Sequence, residues 1–397
     1  MKKTICLLIT ICLLFSIIGC RNVQNQGGQG DKPTNPTGSP TDPSEFTPAQ
    51  EAMAAVSVPA TTMYGTAQDG TTVLSYTYQG MSLILPDPDV ADKVIRDFLD
   101  RVASTHDTAY ALYGAAVAAY NGSSGWNPYL YSVTYSPTRI DLGVLSLYGS
   151  TVTYSGAFHP ERHSRSANYD LLTGDVLTLA SIMSASATKD DFVRLVLESL
   201  EEIEDSAYLR DGYEETVRQR FSRDESTDQD WYFTNTGLCF YFDPYEIAPY
   251  SSGVIVAEIP YSKLAGLIYD GYFPAERDIV ESNVNASLFS NVDPNRFSQT
   301  AELILNMEDQ MFFLYTDGLV WDVQIDVGTW DPSGTEFTSE YTALYSHALS
   351  PGDALMIQAS LGDAQSTLRL TYQSGTNIIT KYISQSGENG AILLTDA

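Results

Sequence analysis

Two histidines four residues apart, His159 and His163, stand with Glu161, Arg162 and Arg165 in one short polar run. On a helix that spacing would put both imidazoles on one face and suit a metal ion. Pro160 and the extended character of the flanking residues argue against a helix, and no third ligand follows at a matching spacing, so neither a metal nor another cofactor is expected. His159 then has two readings: it orders the backbone of a turn by hydrogen bonding, or it touches a ligand. Tyr241, Tyr245, Tyr250 and Tyr261 fall within one short stretch. A tyrosine has an apolar body and a polar tip, so such a group lines a protein- or glycan-binding surface or fills a core with its hydroxyls satisfied. The candidate ligand-binding residues are His159, Tyr169, Tyr241, Tyr245 and Tyr250. Cys239, inside the apolar run Leu238-Cys239-Phe240-Tyr241-Phe242, reads as a buried thiol and not a nucleophile. No Gly-x-Ser-x-Gly, His-Glu-x-x-His or phosphate loop is present, nor a deacetylase pattern of Asp with paired His. Acidic residues are plentiful, but no spacing marks out a glycosidase pair. No catalytic residue is therefore assigned, and the chain reads as a non-enzyme.

Cys20 carries a different chemistry. Lys2 and Lys3 precede an apolar run from Ile5 to Ile18, which ends in Ser16-Ile17-Ile18-Gly19-Cys20. The run is short for a bilayer span and closes on small residues and a cysteine, the form of a bacterial lipoprotein signal. Residues 1–19 are expected to be cleaved and the Cys20 thiol acylated, each buried methylene contributing about 0.8 kcal/mol to a membrane anchor. Residues 20–50 are a flexible Pro/Gly/Thr-rich tether, too poor in apolar side chains to offset their chain entropy. The expected place is the extracytoplasmic face of the cell membrane. With one cysteine acylated and two in the leader, Cys239 has no disulfide partner.

The elements that would position these groups follow from periodicity. Residues from Thr71 to Leu85 alternate as two short strands. Asp89 is the expected cap of a helix from Val90 to Thr105, with Val94, Ile95, Phe98, Leu99 and Val102 on one face. A second helical stretch follows over 109–120. Leu130–Tyr135, Ile140–Leu147 and Thr151–Tyr154 read as an antiparallel meander, with His159 at the end of its third strand. Asn168, Asp170, Thr173 and Gly174 suit a hairpin turn. Thr188 with Asp190 and Asp191 opens a helix to about Ile203. Its Glu198, Glu201, Glu202, Glu204 and Asp205 form an acidic run. Glu214–Phe221 is a further helix. Strands at Trp231–Phe233 and Leu238–Phe242 pair around Asn235-Thr236-Gly237. Val254–Ile259 reads as a buried strand, and Pro260 starts a last helix. Beyond Glu281 seven short strands, separated by Asp-Gly, Ser-Gly and Pro-Gly turns, suggest an antiparallel sandwich. Trp321, Trp330 and Tyr315 there have two readings: they stack on sugar faces if exposed, or, the favoured reading, they pack in the core.

Two segments carry a resemblance. Residues from Tyr154 to Met183 contain Gly156-Ala157-Phe158-His159-Pro160 and Asn168-Tyr169-Asp170-Leu171-Leu172-Thr173-Gly174. The run from Trp231 to Leu264 contains Phe242-Asp243-Pro244-Tyr245, Ala248, Tyr250 and Ile259-Pro260-Tyr261. Together they resemble the bacterial extracytoplasmic domains related to the ectodomain of the anti-sigma-V factor RsiV, over roughly 62–267. Ala157 and Phe158 depart from that pattern, which has a second glycine and a small residue. The resemblance implies an α+β fold: an RsiV-like helix-plus-antiparallel-sheet domain over 51–275, followed by the β-sandwich over 281–397. It also implies a ligand, lysozyme, a very basic protein. With only Met1 to Thr4 ahead of the apolar run, no cytoplasmic sigma-binding domain is expected.

Charge agrees with such a partner. Of 397 residues, 50 are Asp or Glu and 21 Lys or Arg, a formal charge of −29; loss of Lys2 and Lys3 with the leader makes it −31. A surface this negative repels nucleic acid and anionic lipid headgroups and steers basic proteins inward. The expected function is a surface lipoprotein with a non-catalytic domain that binds lysozyme or cell-wall glycan. The other reading is a cell-envelope polysaccharide-modifying enzyme or its accessory subunit.

Overall fold

A computed structural model describes residues 52–396, apart from 204–208, 223–229, 276, 278–279, 308, 332, 362–366 and 387–389. The leader, Cys20, the tether, and Glu204 and Asp205 of the acidic run lie outside the described residues. The first elements are β1 (Ala55–Ser57), β2 (Ala60–Thr66), β3 (Thr72–Gln79), β4 (Ser82–Ile84), α1 (Pro88–Ala103), α2 (His106–Ala119), β5 (Tyr129–Ile140), β6 (Val144–Tyr154) and β7 (Glu161–Asp170). Five of the strands form a sheet in the order β2-β3-β5-β6-β7. β3 and β5 run parallel, joined by the two helices, and the other neighbours are antiparallel. α1 lays Ala91, Val94, Phe98 and Val102 on the sheet, against Tyr131, Val133, Tyr135, Ala167 and Tyr169. Its cap is Asp87, not the expected Asp89. Asp87 is extended and accepts from Asp89 N at 2.9 Å, while Pro88, which has no N–H to satisfy, takes the first helical position.

The meander differs from its expected spacing. Ile140 ends β5 instead of opening β6, because Asp141 builds the turn. Its carboxylate accepts from Gly143 N and Val144 N, each at 2.8 Å. β6 then runs unbroken through Thr151. Gly149 at its middle permits close backbone contact, since a Cβ there would lie 2.1 Å from Thr134 O. β7 pairs with β6 along its length, and the His159 turn joins the two.

The next body is α3 (Leu179–Ile182), α4 (Lys189–Glu202), α5 (Tyr213–Ser222), β8 (Trp231–Phe233), β9 (Gly237–Phe242), β10 (Ile255–Pro260) and α6 (Tyr261–Leu264). The three strands form an antiparallel sheet, β10-β9-β8. α4 begins with the expected box: the Thr188 hydroxyl donates to Asp191 at 2.7 Å and Thr188 N donates to the same carboxylate at 3.0 Å. β9 is buried throughout. Leu238, Phe240 and Phe242 face the helices, and Cys239 and Tyr241 pack with Tyr148 of β6. β10 alternates between buried and open positions instead of being continuously buried, with Glu258 exposed.

The last strands are β11 (Val284–Leu288), β12 (Gln299–Ile304), β13 (Gln310–Thr316), β14 (Val320–Trp330), β15 (Phe337–Leu349), β16 (Asp353–Ala359), β17 (Leu368–Ser374), β18 (Asn377–Gln385) and β19 (Ile392–Thr395). They make a sandwich, one sheet in the order β11-β13-β16-β12. The other is seven-stranded, β19-β18-β17-β14-β15-β1-β4, and takes two strands from the beginning of the chain. β1 lies between β15 and β4, with Ala55 opposite both Ser346 and Ile84. The expected separation near 275–281 is thus bridged by β1 and β4. The fold is α+β followed by a β-sandwich, with all described residues in one compact unit.

Candidate functional site

The turn between β6 and β7 starts at Gly156, whose φ of +85° suits a residue without a side chain. Two residues on, Phe158 projects fully into solvent. His159 turns back: its Nδ1 lies 3.2 Å from Pro160 O, and its ring stacks on Tyr250 at a centroid distance of 4.4 Å. Tyr250 comes from a short helical turn between β9 and β10 and donates its hydroxyl to Pro160 O at 3.1 Å. Tyr245, at 5.4 Å from Tyr250, has φ +71° and is 52% exposed. Arg210 fixes it, with its guanidinium 5.7 Å from the Tyr245 ring centroid and Nη1 donating to Tyr245 O at 2.7 Å. Phe158, His159, Tyr250 and Tyr245 thus form a row of rings along one surface, held by backbone contacts from two segments about ninety residues apart.

Of the five candidate residues, His159, Tyr245 and Tyr250 meet in this row. Tyr169 and Tyr241 do not, and both are corrected to interior positions. Tyr169 has no exposure, and its hydroxyl donates to Asp97 at 2.8 Å under α1. Tyr241 is 3% exposed beside Tyr148 and Tyr232. Burial drives both phenols far above the ordinary tyrosine range. Tyr261 is structural as well: the buried Arg139 donates to its hydroxyl at 2.6 Å, and that hydroxyl donates to Thr234 O at 2.9 Å. Phe158 and Arg210 were missed as site residues. A bulky ring placed directly after Gly156-Ala157 was the available signal for Phe158, and nothing local marks Arg210.

Beside the row runs a cleft of about 650 Å³, lined by Asp97, Asp100 and Arg101 of α1, His163 and Arg165 of β7, and Asp230 and Asp243. Three of its carboxylates have side-chain partners, two of them arginines. Asp97 meets Arg101 at 2.6 Å, Asp230 meets Arg220 at 2.8 Å, and Asp243 lies 3.3 Å from His163 while accepting from Ser164 N at 2.8 Å. Behind them, burial raises the pKa of Glu246 while neighbouring Arg220 opposes the rise. His159 lies in the turn and His163 on β7 after it. Among the described residues no group of three or more His, Cys, Asp or Glu could hold a metal ion. Burial pushes the Cys239 thiol up to about 12, which removes it as a nucleophile at neutral pH.

Residues 182–262 match the DUF3298 family model. The family model that matches them is described as a protein of unknown function. The DUF3298 domain spans α4 to β10 and carries Tyr245, Tyr250 and Arg210, while Phe158 and His159 come from the sheet before it. A crystal structure of a DUF3298 family member from Bacteroides fragilis is similar to this chain at 14% identity, with a TM-score of 0.43, covering 56% of this chain and 96% of that one. Another, from Pseudomonas aeruginosa, is similar at 16% identity and a TM-score of 0.40, covering 56% and 97%. No curated protein matches the chain. Among the described residues no helix is long and apolar enough to cross a membrane.

Proposed function

We propose that this is a lipid-anchored extracytoplasmic protein that binds a basic protein partner, of which lysozyme is the model, without transforming it. The row of rings at Phe158, His159, Tyr250 and Tyr245 carries the reading. Rigid aromatic side chains held by neighbouring backbone lose little entropy on docking and dominate binding where they are desolvated. The formal charge of −29 supplies long-range attraction for a cationic partner. The resemblance to RsiV-like ectodomains gives the lysozyme class, and the lipoprotein form around Cys20 gives the place. Stacked rings also suit the flat face of a cell-wall glycan, the second reading for the same row. A polysaccharide-modifying enzyme would use the adjoining cleft, where Asp97 and Asp230 are each engaged by an arginine and Asp243 is held by His163 and Ser164 N.

Titration of the full chain with lysozyme tests the proposal. Binding is expected at low salt and weakens as salt rises. Combined Phe158→Ala and Tyr245→Ala substitution weakens it at least tenfold. A flat titration at low salt removes the basic-protein reading, and unchanged affinity in the double variant removes the row of rings. Palmitate labelling lost in Cys20→Ala supports the anchor; retained label overturns it.

A further inference from the structure

The seven-stranded sheet of the sandwich has one face on its own core. The other face is covered by the first domain at β4, β1 and β15, where Leu83, Val56 and Tyr345 join the first domain's core. Further out, on β14, β17 and β18, this outer face carries an ordered set of side chains. Cross-strand register places Asp326 against Arg369 and Arg369 against Tyr382, then Gln324 against Thr371 and Thr371 against Thr380. Gln373 and Ile378 form the next tier. Two register shifts between β14 and β15 follow Ile325 and Val327, and after them Trp330 pairs with Phe337. Trp330, Phe337 and Tyr382 meet at centroid distances of 4.7 to 5.6 Å, and the Arg369 guanidinium covers Phe337 at 5.1 Å. At the other end lies a cavity of about 500 Å³, walled by Asn235 and Thr236 of the β8–β9 turn and by Arg277.

We infer that this groove, from the Trp330–Tyr382 rings to the cavity beside Arg277, binds a neutral oligosaccharide. Three observations select that class. First, the charges cancel locally. Asp326, 1% exposed, takes Arg369 at 2.7 Å, and Arg277 pairs with Asp322, so the face is near neutral in a chain of −29. Second, what remains between the pairs is hydroxyl and amide: Thr371, Thr380, Gln324 and Gln373. The amides are already oriented, Gln324 Nε2 donating to Asp326 at 2.7 Å and Gln373 Nε2 to Gly375 O at 3.2 Å. Oriented amides and hydroxyls match the alternating donors and acceptors of sugar hydroxyls. Third, the rings at one end offer a flat apolar surface for the C–H face of a pyranose. The tiers from Gln373 to Arg369 span about 14 Å at the strand rise, longer than one sugar unit. This site is separate from the row at His159, and it holds or falls independently of the protein-binding reading.

The test is titration of the full chain with cellotetraose, maltotetraose and the tetramer of β-1,4-N-acetylglucosamine, followed by tryptophan fluorescence and calorimetry. At least one neutral tetramer is expected to bind. Trp330→Ala and, separately, Thr371→Trp, which fills the face from outside the core, are each expected to weaken it at least tenfold. Thr371→Trp keeps the test valid if Trp330→Ala fails to fold. No heat or fluorescence change with any of the three overturns the inference. So does undiminished affinity in Thr371→Trp, or tighter binding of an anionic tetragalacturonate than of every neutral probe.

Discussion

Arg139 is the side chain whose loss should cost the most, and the reason lies in what it joins. It closes β5, is 1% exposed, and reaches from the five-stranded sheet into the DUF3298 body. Its Nε donates to Asp141 Oδ2 at 2.6 Å, and its Nη1 donates to the Tyr261 hydroxyl and to Tyr272 O, each at 2.6 Å. The guanidinium also lies 5.3 Å from the Phe233 ring centroid and 5.6 Å from that of Tyr261. Arg139→Met keeps the stem and deletes the charge. It leaves the Asp141 carboxylate, 13% exposed, without its cation, and Tyr272 O without this donor. Breaking a buried pair from one side costs about 3–5 kcal/mol. Asp141 keeps its two N–H donors at Gly143 and Val144, which favours the lower end, about 3 kcal/mol. An exposed pair gives the control: Lys93 and Asp175, 47% and 68% exposed, should shift the midpoint far less in Lys93→Met. The assay is urea unfolding followed by tryptophan fluorescence, comparing midpoints at unchanged slope. Adding Asp141→Asn to Arg139→Met should recover part of the loss, because the stranded charge is gone. A loss below about 1 kcal/mol in Arg139→Met would refute the argument that this residue ties the two bodies together.

Three further outcomes are expected. Gly149→Ala puts a Cβ 2.1 Å from Thr134 O and should cost at least about 2 kcal/mol, whereas Gly114→Ala on α2, where nothing lies within 4 Å, should raise stability by about 0.5–1 kcal/mol; melting temperatures of the two variants decide it. The Cys239 thiol, held up at about 12 by burial, should resist iodoacetamide at pH 8 in the native chain and react once it is unfolded, as read from the mass of its peptide; native labelling within minutes would contradict its burial. Tyr169, Tyr232 and Tyr241 have ionisations raised by burial above the ordinary 10.0, so the fold favours their neutral forms: their contribution is complete below pH 10 and declines as pH climbs beyond it. Ultraviolet titration should therefore show a late tyrosine step that coincides with loss of far-ultraviolet dichroism, and a single step near pH 10 with native dichroism would exclude it.

What could be read beforehand follows the range of each interaction. The Thr188–Asp191 box and the turn at Asn235-Thr236-Gly237 are decided within a few residues, and both appear in the sequence as they do in the fold. The helix cap is Asp87 and not Asp89 because Pro88 suits the first helical position and leaves the preceding residue extended. β7 begins Glu161-Arg162-His163-Ser164-Arg165, a composition with little strand character. It forms because β6 offers a partner along its whole length. The tyrosines show the same limit. Ala167, Tyr169 and Leu171 alternate, and that alternation points Tyr169 inward. Tyr245 and Tyr250 sit in a turn without periodicity, and only the arrival of His159 from ninety residues upstream makes them a surface.

The early strand β1 ties the sandwich to the start of the described chain across the expected separation near 275–281. Its alternation serves two cores at once: Met53 and Ala55 face the sandwich, while Ala54, Val56 and Val58 face the α1 sheet. A strand shared in this way cannot slip by one residue without turning both sets the wrong way. It also covers the edge that β15 would otherwise present to solvent. The sandwich sheet therefore depends on strands from near the start of the described chain, and the outer face of β14 and β17 is held beside the β8–β9 turn, with Asn235 donating to the Tyr345 hydroxyl at 2.6 Å and that hydroxyl donating to Asp322 at 2.5 Å. Cutting the chain between Leu267 and Val284 would remove β1 and β4 from their sheet and the wall from the groove. Separate expression of residues 281–397 should give an aggregating fragment with an open β15 edge, and a soluble, cooperatively melting fragment would show that the sandwich closes without its borrowed strands.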